Sequence, residues 1–103
     1  MRLSRRMFVA GLAGAALAGA AQSVVVERRL YGAGSLLPPR EILNRSGIRV
    51  TSVRQTRRGT EYRMLFDSLE SRCQAWDRFN SDPAWCALRG QGEIRLREIV
   101  IGA

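Results

Sequence analysis

Apolar positions along this chain fall into short runs of two different periods. Ser23 to Tyr31 (SVVVERRLY) opens with three valines and reads as a β-strand. Gly32 to Leu37 is a loop. Pro38-Pro39 then begins a short helix, Pro39 to Arg45, which Ser46-Gly47 terminates. Ile48 to Gln55 reads as a second strand, and Thr56-Arg57-Arg58-Gly59 as a turn in which Gly59 supplies positive φ. Thr60 to Phe66 returns as a third strand. From Asp67 the period becomes helical. Asp67 and Glu70 have capping-box spacing, and Leu69, Cys73, Trp76 and Phe79 recur at steps of four, three and three along one face. Glu70, Gln74, Asp77 and Arg78 hold the opposite, polar face. Asn80-Ser81 breaks this helix and Asp82-Pro83 starts another, with Asp at the cap and Pro where a missing N–H costs nothing. Trp85 and Leu88 can share the core before Gly90 and Gly92, and Glu93 to Ile101 closes as a fourth strand.

The resulting order is βαββαβ. It predicts an α+β, ferredoxin-like domain over 23–101, an antiparallel four-stranded sheet with its helices on one face. The expected inward sets are Val24/Val26, Ile48/Val50, Tyr62/Met64/Phe66 and Ile94/Leu96. The opposite parity puts Arg29, Arg49, Arg63 and Arg95 on the face away from the helices, together with Glu27, Glu61, Glu93 and Tyr31. That face also carries Val25, Leu65, Ile99 and Ile101, enough apolar area to expect a homodimer stacked sheet on sheet.

Ahead of the first strand the pattern is different. Ser4-Arg5-Arg6-Met7-Phe8-Val9 resembles a twin-arginine translocation signal, followed by an uncharged Ala/Gly-rich run. Ala18-Gly19-Ala20 is a small-x-small site suited to cleavage before Ala21. Residues 1–20 are therefore expected to be a signal peptide read by the twin-arginine export machinery. The mature chain is then periplasmic or extracellular; the alternative is a membrane anchor left uncleaved. Cleavage would leave 83 of the 103 residues, near the lower limit for a single self-sufficient core.

Composition narrows the chemistry. All 17 basic residues are arginines, and the formal charge of +8 falls to +5 once Arg2, Arg5 and Arg6 are removed. The remaining arginines are scattered and flanked by acids, unlike the basic stripe of a nucleic-acid binder. The chain has no histidine, so a histidine-ligated haem is excluded and neutral-pH general-base chemistry lacks its usual group. No nucleophile–base pair, metal-ligand spacing or glycine-rich phosphate loop is present, and no cofactor or metal is expected. Cys73 and Cys86 sit on the expected apolar side of adjacent helical segments; in an oxidising compartment they either form a disulfide or remain two small buried residues. Trp76 and Trp85 read as core. The outward arginines with Tyr31 have two readings: a clamp for a small anionic ligand, or cross-strand pairing with the glutamates beside them.

Tyr62-x-x-Leu65-Phe66-x-Ser68-Leu69-x-x-Arg72, followed by Ala75-Trp76-x-x-Phe79-x-x-Asp82-Pro83-x-Trp85, resembles the C-terminal half of a NIPSNAP domain. The strand Val24–Tyr31 stands where that family has its first strand. The resemblance implies a ferredoxin-like fold that pairs into a dimeric α+β barrel, and it implies no reaction. The expectation for function is an exported homodimeric ligand-binding or interaction module; the alternative is a cofactor-free enzyme acting on a small organic molecule in the barrel cavity.

Overall fold

The protein is described here from a computed structural model covering residues 24–102. The signal motif at Arg5 and Arg6 and the cleavage site at Ala18 and Ala20 lie outside the described residues. Seven elements follow one another: β1 (Val25–Tyr31), α1 (Arg40–Arg45), β2 (Arg49–Thr56), β3 (Gly59–Phe66), α2 (Leu69–Ser81), α3 (Pro83–Arg89) and β4 (Leu96–Gly102). The strands form one antiparallel sheet in the order β2-β3-β1-β4, so the first strand lies inside the sheet and the last lies at its edge. This is the α+β, ferredoxin-like arrangement expected from the sequence. No helix among the described residues is long and apolar enough to cross a membrane.

Local chemistry sets the boundaries. The turn from β2 to β3 depends on Gly59, at φ 139°, where an added Cβ would stand 2.0 Å from the carbonyl oxygen of Tyr31. Helix α2 starts one residue later than the Asp67/Glu70 spacing predicts. Ser68 is the cap; its hydroxyl accepts from the Ser71 N–H, and the Ser71 hydroxyl accepts from the Ser68 N–H, both at 3.0 Å. Asp82 ends α2 and caps α3 through the Ala84 N–H at 2.9 Å, with Pro83 at the first helical position. The same carboxylate accepts two bonds of 2.8 Å from Arg45, tying α1 to α3.

The core lies between sheet and helices. Ile42, Leu43 and Ile48 meet Tyr62, Met64 and Phe66 of β3, and Ala75, Trp76, Phe79 and Trp85 close it from the helix side. Tyr31 and Tyr62 pack edge to face with ring centres 5.4 Å apart, as do Trp76 and Phe79. The Tyr62 hydroxyl donates to the Pro38 carbonyl at 3.0 Å. Burial pushes the Tyr62 phenol up to about 12.

Three expectations about facing are corrected. Strand β1 presents the opposite parity: Val25, Glu27 and Arg29 pair in register with Phe66, Met64 and Tyr62, the buried row of β3, and therefore face the helices. Val26 and Arg28 turn to the open face instead. Helix α2 is rotated relative to the expected stripe, so that Ala75, Trp76 and Phe79 are buried while Leu69 is 60% exposed and Cys73 is exposed. In β4, Ile99 and Ile101 stand opposite Arg29 and Glu27 and so belong to the helix face as well.

Candidate functional site

A single carboxylate organises the helix side of the sheet. Glu27, in the middle of β1, is completely buried. Its Oε1 accepts from Arg72 Nε at 2.7 Å and from Trp76 Nε1 at 2.9 Å, and its Oε2 accepts from Arg72 Nη2 at 3.2 Å and from Arg29 Nε. The donors come from two places. Arg29 is two residues along the strand and hence on the same face. Arg72 and Trp76 are four apart on α2 and hence stacked on one side of the helix. The Arg29 guanidinium carbon also lies 3.7 Å from the centre of the Trp76 ring, a cation–π contact.

Charge in this cluster does not cancel. An isolated carboxylate taken out of water would protonate; burial does push Glu27 up, but the bonds from Arg72, Arg29 and Trp76 outweigh it and hold the group below the usual carboxylate value. Glu27 is thus anionic, and it faces two arginines. Neither Arg29 nor Arg72 pairs with another carboxylate among the described residues, which leaves one positive charge in surplus. Their side chains are 16% and 17% exposed, so the surplus charge still reaches solvent.

Beyond this cluster, toward β4, the helix layer stops. Helix α1 has only six residues and lies against β2, while α2 lies against β3 and reaches β1 through the Glu27 bonds, so strand β4 packs extensively on β1 alone. Ile99 and Ile101 are each 43% exposed, although they lie on the face that the helices cover elsewhere. Val25, Leu69, Ile101 and Gly102 line an open groove of about 220 Å³ there.

The sequence-predicted site is dispersed. Arg29 and Tyr31 are on the helix side, not the open face. Tyr31 is buried against Tyr62, and burial raises its phenol while the neighbouring Arg29 opposes the rise. Arg63 stays exposed on the open face, where it shares a shallow depression of about 140 Å³ with Val26, Arg28 and Val100. Arg49 stands at the exposed end of β2, 4.0 Å from Asp67. Arg95 precedes β4 and bonds Glu93 at 3.1 Å and the Ala33 carbonyl at 3.4 Å. On the open face, cross-strand pairing describes what the arginines do: Glu61 accepts from Arg28 at 3.1 Å and from Arg54 at 2.9 Å. Cys73 and Cys86 are both free and both exposed, which corrects their expected place on the apolar side. Trp76 and Trp85 are core, as expected. Among the described residues, no three His, Cys, Asp or Glu side chains gather in a metal-binding group.

Sequence reasoning missed Glu27 and Arg72 as site residues. A signal was present, since Arg72 and Trp76 share a helical face and an arginine on a buried face needs an acid opposite. Comparison with known proteins bears on the fold. No family model matches the chain, and no curated protein matches it. Among solved structures, a NIPSNAP-like domain protein from Burkholderia xenovorans superposes with a TM-score of 0.52 at 17% identity, over 79% of this chain and 83% of that one. At that identity the likeness speaks for the fold alone.

Proposed function

We propose that the chain is an exported, homodimeric ligand-binding module, and that it receives a small organic anion at Arg29 and Arg72. The observation that carries this reading is the uncancelled charge: two guanidiniums share one buried carboxylate and still reach solvent. Arginine presents planar paired donors suited to a second carboxylate. Export is supported by the twin-arginine-like segment and the cleavage site that follows it. Pairing of two copies is supported by the open sheet face, where Val26, Leu65 and Val100 are only partly covered.

Native mass spectrometry of the chain purified from the periplasm of an expressing bacterium tests all three parts. The expected species is a dimer beginning at Ala21 that carries an additional anionic mass, lost in an Arg72→Gln variant that remains dimeric. A dimer that never carries or takes up an anion would overturn the ligand reading. An unprocessed chain absent from the periplasm would overturn export.

A further inference from the structure

The groove beside the arginine cluster has the wrong chemistry for solvent and a suitable one for the rest of a ligand. Resting on the anion-binding reading above, we infer that the ligand is a small aliphatic monocarboxylate, its head held by Arg29 and Arg72 and its tail lying in the groove of Val25, Leu69 and Ile101. Position supports this. Ile101 stands directly opposite Glu27 in the β1–β4 register, and Leu69 precedes Arg72 by one helical turn, so each groove wall adjoins one member of the cluster. The side chains in the groove's lining are all apolar, and Gly102, which pairs with Val26 of the open face, contributes backbone alone.

Charge and size select the class. One surplus positive charge calls for a monoanion; with it bound, each guanidinium has a carboxylate of its own. A compact dianion such as inorganic phosphate would overcompensate the site and leave the groove unused. At about 220 Å³ the groove is smaller than the roughly 300–1,000 Å³ typical of drug-sized pockets, which points to a short chain and not a long or ring-fused lipid. Leu69, 60% exposed, and Ile101, 43% exposed, are the apolar surface that such a tail would remove from water.

Calorimetric titration of the full chain with octanoate, acetate and 1-octanol reads head and tail separately. Octanoate is expected to bind at least tenfold more tightly than either acetate or octanol, the gain that burial of about two methylenes supplies on the tail side. Ile101→Ser removes an apolar wall of the groove without touching the arginines, and it is expected to bring octanoate to within about threefold of acetate. If octanoate and acetate bind alike and Ile101→Ser alters neither, the tail assignment is wrong and the anion site stands. If no carboxylate binds, both fall. Octanol binding as tightly as octanoate would remove the arginines from recognition. A Leu69→Asp variant that turns a dimer into a monomer while octanoate binding persists would make the groove an interface between copies, which also overturns the inference.

Discussion

The Trp76 indole N–H and the Glu27 carboxylate, 49 residues apart in sequence, bond at 2.9 Å across the boundary between sheet and helices. With Arg29 and Arg72 on the same carboxylate, this contact pins α2 to the middle of β1. Removing the charge of Glu27 would strand two guanidiniums in a poorly solvated place. Glu27→Gln is therefore expected to cost about 3–5 kcal/mol in urea denaturation. Glu61→Gln, on the open face with partners 37% and 64% exposed, should cost less than about 1 kcal/mol. Both carboxylates are buried, so equal losses at the two positions would contradict the difference in solvent access of their partner guanidiniums on which the site rests.

Acid should weaken the fold in a defined window. Glu27, Glu61 and Asp82 all have carboxyls held below their ordinary values, Asp82 at about 2 against 3.8, chiefly by the paired bonds from Arg45. A carboxylate depressed by folding contributes stability that is present above its unfolded value and lost as pH falls through its folded value. Thermal melts should thus hold steady down to about pH 4.5 and decline toward pH 2. Asp82→Asn should melt lower than the parent at pH 7 and fall less between pH 4 and 2. Parallel curves for the two proteins would remove Asp82 from the account.

Gly59 has no room for a side chain and a backbone angle that L-residues avoid. Its φ of 139° and the 2.0 Å approach to Tyr31 predict that Gly59→Ala costs at least about 1–3 kcal/mol. Gly90 is the contrast: its φ of −75° is ordinary and the nearest atom to an added Cβ is 3.5 Å away, so Gly90→Ala should be neutral or stabilising by about 0.4–1 kcal/mol. Chemical denaturation of the two variants side by side checks both.

With both cysteines exposed and free, alkylation of the native chain should modify Cys73 and Cys86 together, and reducing agent should leave the melting temperature unchanged. A drop in melting temperature on reduction, with alkylation blocked beforehand, would mean that a bond joins them in the folded protein.

Element order, the Asp82-Pro83 restart and the Gly59 turn were all legible in the sequence, because each is set by neighbours in the chain. The facing of β1 was not. Three consecutive valines give no alternation, and apolar count alone favours Val24 and Val26 inward. The decision is made instead by β3, where Tyr62, Met64 and Phe66 are unmistakably inward and pair with Arg29, Glu27 and Val25. A glutamate in the core is also the last residue that a hydrophobic pattern would place there. It is tolerated only because Arg72 and Trp76, 45 and 49 residues away, arrive to bond it. The same requirement accounts for the rotation of α2: turning Arg72 toward Glu27 brings Ala75 inward and sends Cys73 outward.

The position of β1 has a consequence for how the chain is made. This strand leaves the ribosome first among the four, yet it pairs on one side with β3 and on the other with β4, where Val26 meets Gly102. At roughly 5–20 residues per second, the stretch from Tyr31 to Leu96 takes about 3–13 s to synthesise. Throughout that interval Val26 to Tyr31 are without the neighbours that β4 supplies, and one edge of β1 is open to other binding partners. The sheet therefore cannot be completed before residue 102 has been translated, however early the helices form.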